Sequence, residues 1–137
     1  MKKANAEIMS HKIDEITVRI DQEPERSEIV NWQPLYDLYT TADEVNISIE
    51  LAGVSVHDMN IFLNKNQLQI TGMRRPAPPL KPDCCTFHTI EIPYGHFYQK
   101  IDFPLPVQTG KYHIHYTNGM LFIRIPVIKE RVITIED

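Results

Sequence analysis

Two cysteines and five glycines are all that 137 residues carry of those types, and each scarcity removes a class of explanation. Cys84 and Cys85 are neighbours. Adjacent cysteines close a strained ring rather than a useful staple, so no disulfide framework is expected and free thiols fit a reducing compartment. A chain of this length buries roughly two-thirds or more of its unfolded surface, so neither metal nor disulfide is needed to hold it. The few glycines form no phosphate-cradling loop, and HExxH, G-x-S-x-G and a coherent acid pair are missing too. Those are the motifs of nucleotide binding, zinc hydrolysis and serine hydrolysis, so neither an enzyme nor a cofactor is expected. No run of some 18 apolar residues is present to span a membrane. The opening MKKANAEIMSHKID has the basic residues of a signal peptide without its apolar core of about 7–15 residues, and a cytoplasmic location is expected. Basic surplus is lacking as well. Lys and Arg number 14 against 18 Asp and Glu, the wrong balance for a phosphate-binding face, so no nucleic-acid partner is expected.

What is present is mostly alternation. Val45, Ile47, Ile49 and Leu51 point one way while Asn46, Ser48 and Glu50 point the other, which is a half-buried strand ended by Gly53. Ile61 and Leu63 alternate with Asn60, Phe62 and Asn64, and Leu68 and Ile70 return the chain after Asn64-Lys65-Asn66. Phe97, Gln99, Ile101 and Phe103 share a face, stopped by Pro104 and Pro106. Tyr112, Ile114 and Tyr116 lead through Asn118-Gly119 into Leu121, Ile123 and Ile125. Asn-Gly tolerates positive φ at both positions and so marks a tight hairpin. About seven short strands without intervening long helices predict an all-β, immunoglobulin-like antiparallel sandwich. Three parts are expected: an N-terminal arm over 1–31, the sandwich over 32–127 and a tail over 128–137.

Two segments do not settle on a structure by pattern alone. In the arm, Met9, Ile13, Ile16 and Ile20 follow helical spacings of 4, 3 and 4, yet Ile16, Val18 and Ile20 also alternate as a strand would. EPERSE at 23–28 reads as a solvated hinge. Between Gly72 and Glu91, MRRPAPPLKPDCCTFHTI holds four prolines, and a connection that long is usually functional or disordered. Prolines favour an extended arm that costs less entropy to order than a glycine-rich one. Strand character returns at Phe87, His88, Thr89 and Ile90, as though the arm carries a strand away from its own body.

The tail reads RVITIED. Free termini usually fray and stay polar unless tied down, so Ile133 and Ile135 ask for a partner.

Together these stretches resemble the small heat-shock proteins built on the alpha-crystallin domain. WQPLYDLYTTADEVNISIELAGV is similar to that family's opening, LQITGMRR to its L-x-I-x-G-x-R strand, YGHFYQKIDFPLP to its G-x-F-x-R-x-F-x-L-P strand, and HYTNGMLFIRIP to its N-G-x-L hairpin. The resemblance implies a sandwich that dimerises and then assembles into larger homo-oligomers. In the bacterial and plant branch a loop strand pairs with the partner's edge; TFHTIE, with Phe87, His88 and Ile90, stands where that strand belongs, and its docking edge would lie around 37–41. Ile133-Thr134-Ile135 matches the family's Ile-x-Ile motif, which enters a groove of a neighbouring subunit, formed here by Ile61, Leu63, Tyr112 and Ile114. Residues i and i+2 of an extended segment face the same way, so both isoleucines can enter one pocket. Burying them contributes roughly 3–6 kcal/mol. Ordering three or four backbone residues costs about 1–2 kcal/mol each. One tail therefore holds weakly, and only several together give a stable yet exchanging assembly.

The function this implies is an ATP-independent holdase for partly unfolded client proteins, with Met9, Ile13, Ile16 and Trp32 as candidate client contacts. The other readings are a CS-domain-like adaptor, which would lack the exchange arm and the tail motif, and a structural assembly protein without clients. Two departures from the family stand out: Gln99 replaces the arginine of G-x-F-x-R, and Ile114 replaces a usual alanine. His113 and His115 share a strand face and could chelate a metal, but two ligands seldom make a site. Cys84, Cys85 and His88 gather soft ligands without a second cysteine pair, so no metal site is assigned there either.

Overall fold

The computed structural model describes residues 16–25, 29–77, 83 and 85–129. Eight strands alternate inward apolar and outward polar residues: β1 (Thr17–Ile20), β2 (Tyr36–Thr40), β3 (Glu44–Glu50), β4 (Met59–Leu63), β5 (Gln67–Arg74), β6 (Gly95–Asp102), β7 (His113–Thr117) and β8 (Met120–Pro126). They form two four-stranded sheets, ordered β1-β4-β5-β6 and β2-β3-β8-β7. All pairs are antiparallel except β1 with β4, which is parallel. The expected sandwich is therefore present, with one strand more than its interior pattern announced.

The core lies between the sheets. Val45, Ile47, Ile49 and Leu51 face Met59, Ile61, Leu63, Leu68 and Ile70, with Phe97, Ile101, Leu121, Ile123 and Ile125 among the residues packed with them. These are the period-2 positions of β3, β4, β5, β6 and β8. The two hairpins close as their turn residues dictate. The Asn64 side chain accepts from the amides of Asn66 and Gln67 at 2.8 and 3.0 Å, which turns β4 into β5. Asn118 and Gly119 both take positive φ, 50° and 76°, and join β7 to β8 by the two-residue turn that Asn-Gly favours.

The ambiguous segment of the arm is a strand. Thr17, Val18, Arg19 and Ile20 lie opposite Asn60, Ile61, Phe62 and Leu63. Ile16, Val18 and Ile20 pack half-buried on the core, and the Asp21 amide donates to Leu63 O at 2.9 Å. A helix here would have kept its backbone bonds within the segment; the open edge of β4 offers the alternative, and the alternating residues take it.

Candidate interaction surfaces

The connection from β5 to β6 carries the first surface. Residues 85–92 run without strand pairing in the single chain. Phe87, Ile90 and Ile92 are 66%, 73% and 59% exposed, and His88 is exposed beside them. The strand expected at 86–91 is thus not formed within one molecule, because a ladder needs a second backbone and this ribbon joins neither of the chain's own sheets. On the sandwich, β2 ends its sheet, hydrogen-bonded to β3 on its inner side, and exposes Tyr39, while exposed Leu35 stands just before the strand begins.

Arg74 fastens the root of this connection. Continuing the inward alternation Leu68, Ile70, Gly72, its side chain is buried. Nε and Nη2 donate to Pro93 O at 2.9 and 2.6 Å, and Nη1 to Ala52 O at 3.2 Å. The guanidinium lies 3.9 Å over the Trp32 ring and 5.6 Å over that of Tyr94. A planar fork satisfies two carbonyls and an aromatic face at once, which an ammonium could not. Its neighbour Arg75 points the other way to a surface pairing with Asp58, whose carboxylate raises the Arg75 pKa through hydrogen bonding and charge.

Trp32 belongs to this anchor. It donates from Nε1 to Gly95 O at 3.0 Å, meets the Phe97 ring at 5.1 Å and is only 9% exposed. In the single chain the indole expected to touch clients is buried against Arg74, Phe97 and the backbone at the ribbon's root.

The second surface is the edge of β4. Ile61 and Leu63 are fully buried, while Ile114 is half-buried on β7 and Tyr112 is 36% exposed just before it. The first two therefore floor the core rather than line an open groove, because strand alternation turns them inward and β1 already covers their edge. Ile114 and Tyr116 meet the same core from the opposite sheet. The Tyr116 hydroxyl lies 2.8 Å from both Leu51 O and Val54 O. Burial pushes its pKa above the ordinary 10.0, and the Glu50 charge adds to the rise. Ile16, a proposed client contact, is half-buried on the core ahead of β1. Met9, Ile13, Ile133 and Ile135 lie outside the described residues. His113 and His115 are exposed, and among the described residues no three His, Cys, Asp or Glu side chains gather to hold a metal.

A model of the Hsp20/alpha crystallin family matches residues 37–136. The chain belongs to that family. Small heat shock protein C2 of Rickettsia felis is 27% identical over 96 residues, 70% of this chain and 61% of that protein. The match spans about three-fifths of that curated relative. Among solved structures, heat shock protein 16.0 from Schizosaccharomyces pombe superposes with a TM-score of 0.64 at 21% identity, covering 77% of this chain and 99% of that one. The hspA protein of Xanthomonas axonopodis gives 0.60 at 25% identity, covering 70% and 94%. Small heat shock proteins are chaperones of the stress response, and they work without catalysis.

Within this small heat shock protein fold, Gln99 makes a contact of its own. Its Nε2 donates to Pro34 O at 3.0 Å, tying β6 to the segment that enters β2. Lys100, on the opposite face, is exposed and does not replace the missing arginine there. The LQITGMRR pattern alone gives Arg74 no role. The signal that could have found it is its place on the inward face, where an unneutralised cation needs carbonyls or rings.

Proposed function

We propose that this protein is an ATP-independent holdase that captures partly unfolded proteins, working as a strand-exchanged dimer that assembles further through its tails. The observation that carries this reading is the pairing of opposites on one molecule. A ribbon with Phe87, Ile90 and Ile92 in solvent hangs from a rigid root, and an unpaired edge at β2 stands beside exposed Leu35 and Tyr39. Contiguous exposed apolar side chains mark interaction sites, and an extended ribbon adds naturally to an open sheet edge. Two copies can satisfy one another's edges by this exchange.

Assembly beyond the dimer rests on Ile133 and Ile135, and client capture on Met9, Ile13 and Ile16, which become available when their own packing loosens. The functional parts are the arm 1–31, the sandwich 32–127 and the tail 128–137. The cytoplasm is the proposed site of action. Among the described residues no helix is long and apolar enough to cross a membrane.

Heating a labile enzyme with an equimolar amount of this protein tests the holdase reading, which predicts suppressed light scattering. Unchanged aggregation would refute it. Assembly is tested separately by mass measurement. Ile133→Ala with Ile135→Ala should reduce the particle to dimers at micromolar concentration, and adding Phe87→Ser with Ile90→Ser should reduce dimers to monomers. An unchanged mass in either step removes the corresponding contact. A monomeric wild type with one tight partner would favour the adaptor alternative.

A further inference from the structure

β6 is an outer strand of its sheet, in the order β1-β4-β5-β6, yet its outer backbone groups are taken by the chain's own residues. Both groups of His96 are engaged. Asn31 and Trp32 donate their amides to His96 O at 2.8 and 3.3 Å, and the His96 amide donates to Asn31 Oδ1 at 2.8 Å. Trp32 also pairs with Phe97 as an isolated parallel bridge. Gly95, at φ 100°, permits this approach, because a Cβ there would stand 2.3 Å from Asn31 Oδ1. Further along, Lys100 has the parity of His96 and so turns its amide to the same outer edge. The Gln99 side chain meets it: Oε1 accepts from the Lys100 amide at 3.0 Å, while Nε2 donates to Pro34 O at 3.0 Å. Leu35 O then accepts from the Glu50 amide, and the chain enters β2, the outer strand of the other sheet. Gln99 stands where the family has an arginine, and an arginine could not do this work. A guanidinium carries donors only and has nothing to offer the Lys100 amide.

We propose that Gln99 and residues 31–34 form a guard on the β6 edge, which directs the exchanged ribbon of a second copy to β2. An extended ribbon adds to whichever sheet edge offers unpaired donors and acceptors. The guard uses those of His96 and Lys100 from within, so a ribbon arriving at β6 must first displace it. Pro34, having no N–H, makes the guard itself a poor template for further pairing. One short segment thus closes one edge and leads straight into the other. This inference rests on the strand-exchange reading above.

Thiol crosslinking between two mixed full-length chains tests it. The ribbon chain keeps Cys85 and carries Cys84→Ser. The edge chain, lengthened by a tag so that the mixed product has its own size, has both native cysteines replaced by serine. It carries one new thiol, from Tyr39→Cys on β2 or Lys100→Cys on β6, both exposed positions. Once subunits have exchanged, a short bismaleimide should join Cys85 to the β2 thiol and give about tenfold less product with the β6 thiol. Asn31→Ala with Gln99→Ala in the edge chain removes three side-chain bonds of the guard and should raise the β6 product about tenfold. Gln99→Arg alone, which supplies no acceptor, should raise it severalfold, and it reports even where the double variant fails to fold. A β6 product as strong as the β2 product in the guarded chain, or one that neither variant moves, overturns the guard while leaving strand exchange in place. Absence of product at both positions in every form overturns strand exchange and the guard with it.

Discussion

Replacing Arg74 by alanine should cost this sandwich far more than replacing its sequence neighbour Arg75. Three charge-assisted bonds reach Pro93 O and Ala52 O from a guanidinium that lies 3.9 Å above Trp32. Hydrogen bonds from a charged donor are worth about 1.5–3 kcal/mol each, and a desolvated cation over an indole about 2 kcal/mol. These do not add. The cation's own desolvation offsets part of the gain, and removing the cation releases that cost. Pro93 and Ala52 are themselves exposed, so their carbonyls regain water in the variant. A net loss of about 2–4 kcal/mol remains, against a typical total of about 5–15 kcal/mol. For a domain near 100 residues that is a fall in Tm of roughly 8–20 °C. Thermal melts followed by circular dichroism, at one fixed protein concentration because assembly also stabilises, would measure it. Arg74→Lys should recover only part of the loss, since an ammonium cannot span both carbonyls and lie flat on the ring. Arg75→Ala, an exposed pairing, should melt with the wild type. If Arg74→Ala also melts within about 2 °C of the wild type, well under the loss of 1 kcal/mol, the anchoring role is wrong.

Gly72→Ala should destabilise by about 1–3 kcal/mol or more through overpacking, because a Cβ there would stand 2.1 Å from Asp58 O and 2.5 Å from the Phe97 ring; denaturant titration would reveal it. Tyr116 should ionise later in alkaline titration than an ordinary phenol, its pKa raised by burial and by Glu50. The raised folded-state value means that its contribution to stability is intact below the ordinary phenol pKa and is lost as pH climbs through the folded one. Tyr116→Phe should therefore flatten the decline in Tm above about pH 10, as seen by parallel melts across that range, and an identical decline in both proteins would contradict the assignment.

Much of the sandwich was legible because its information is local. Val45 to Leu51 declare a strand by alternation, and Asn118-Gly119 declares a hairpin by the φ values its residues tolerate. Where the deciding partner is distant, legibility ends. Ile16, Val18 and Ile20 satisfy a helical stripe and a strand equally well, and only the open edge of β4 selects between them. The burial of Trp32 is not legible locally, because it depends on Arg74 and Phe97, both distant along the chain. TFHTIE has the composition of a strand, yet composition does not supply the second backbone. Resemblance places Ile61 and Leu63 in a groove, whereas their own alternation turns them inward.

The parallel pairing of β1 with β4 has a consequence for the order in which the molecule comes together. A hairpin can zip as soon as its turn forms, but β1 must wait for a strand about forty residues further along the chain, and closing so long a loop is slow to be rewarded. During synthesis the ribbon leaves the ribosome first and is seated late. For that interval Val18 and Ile20 of every newborn chain have no core to pack against.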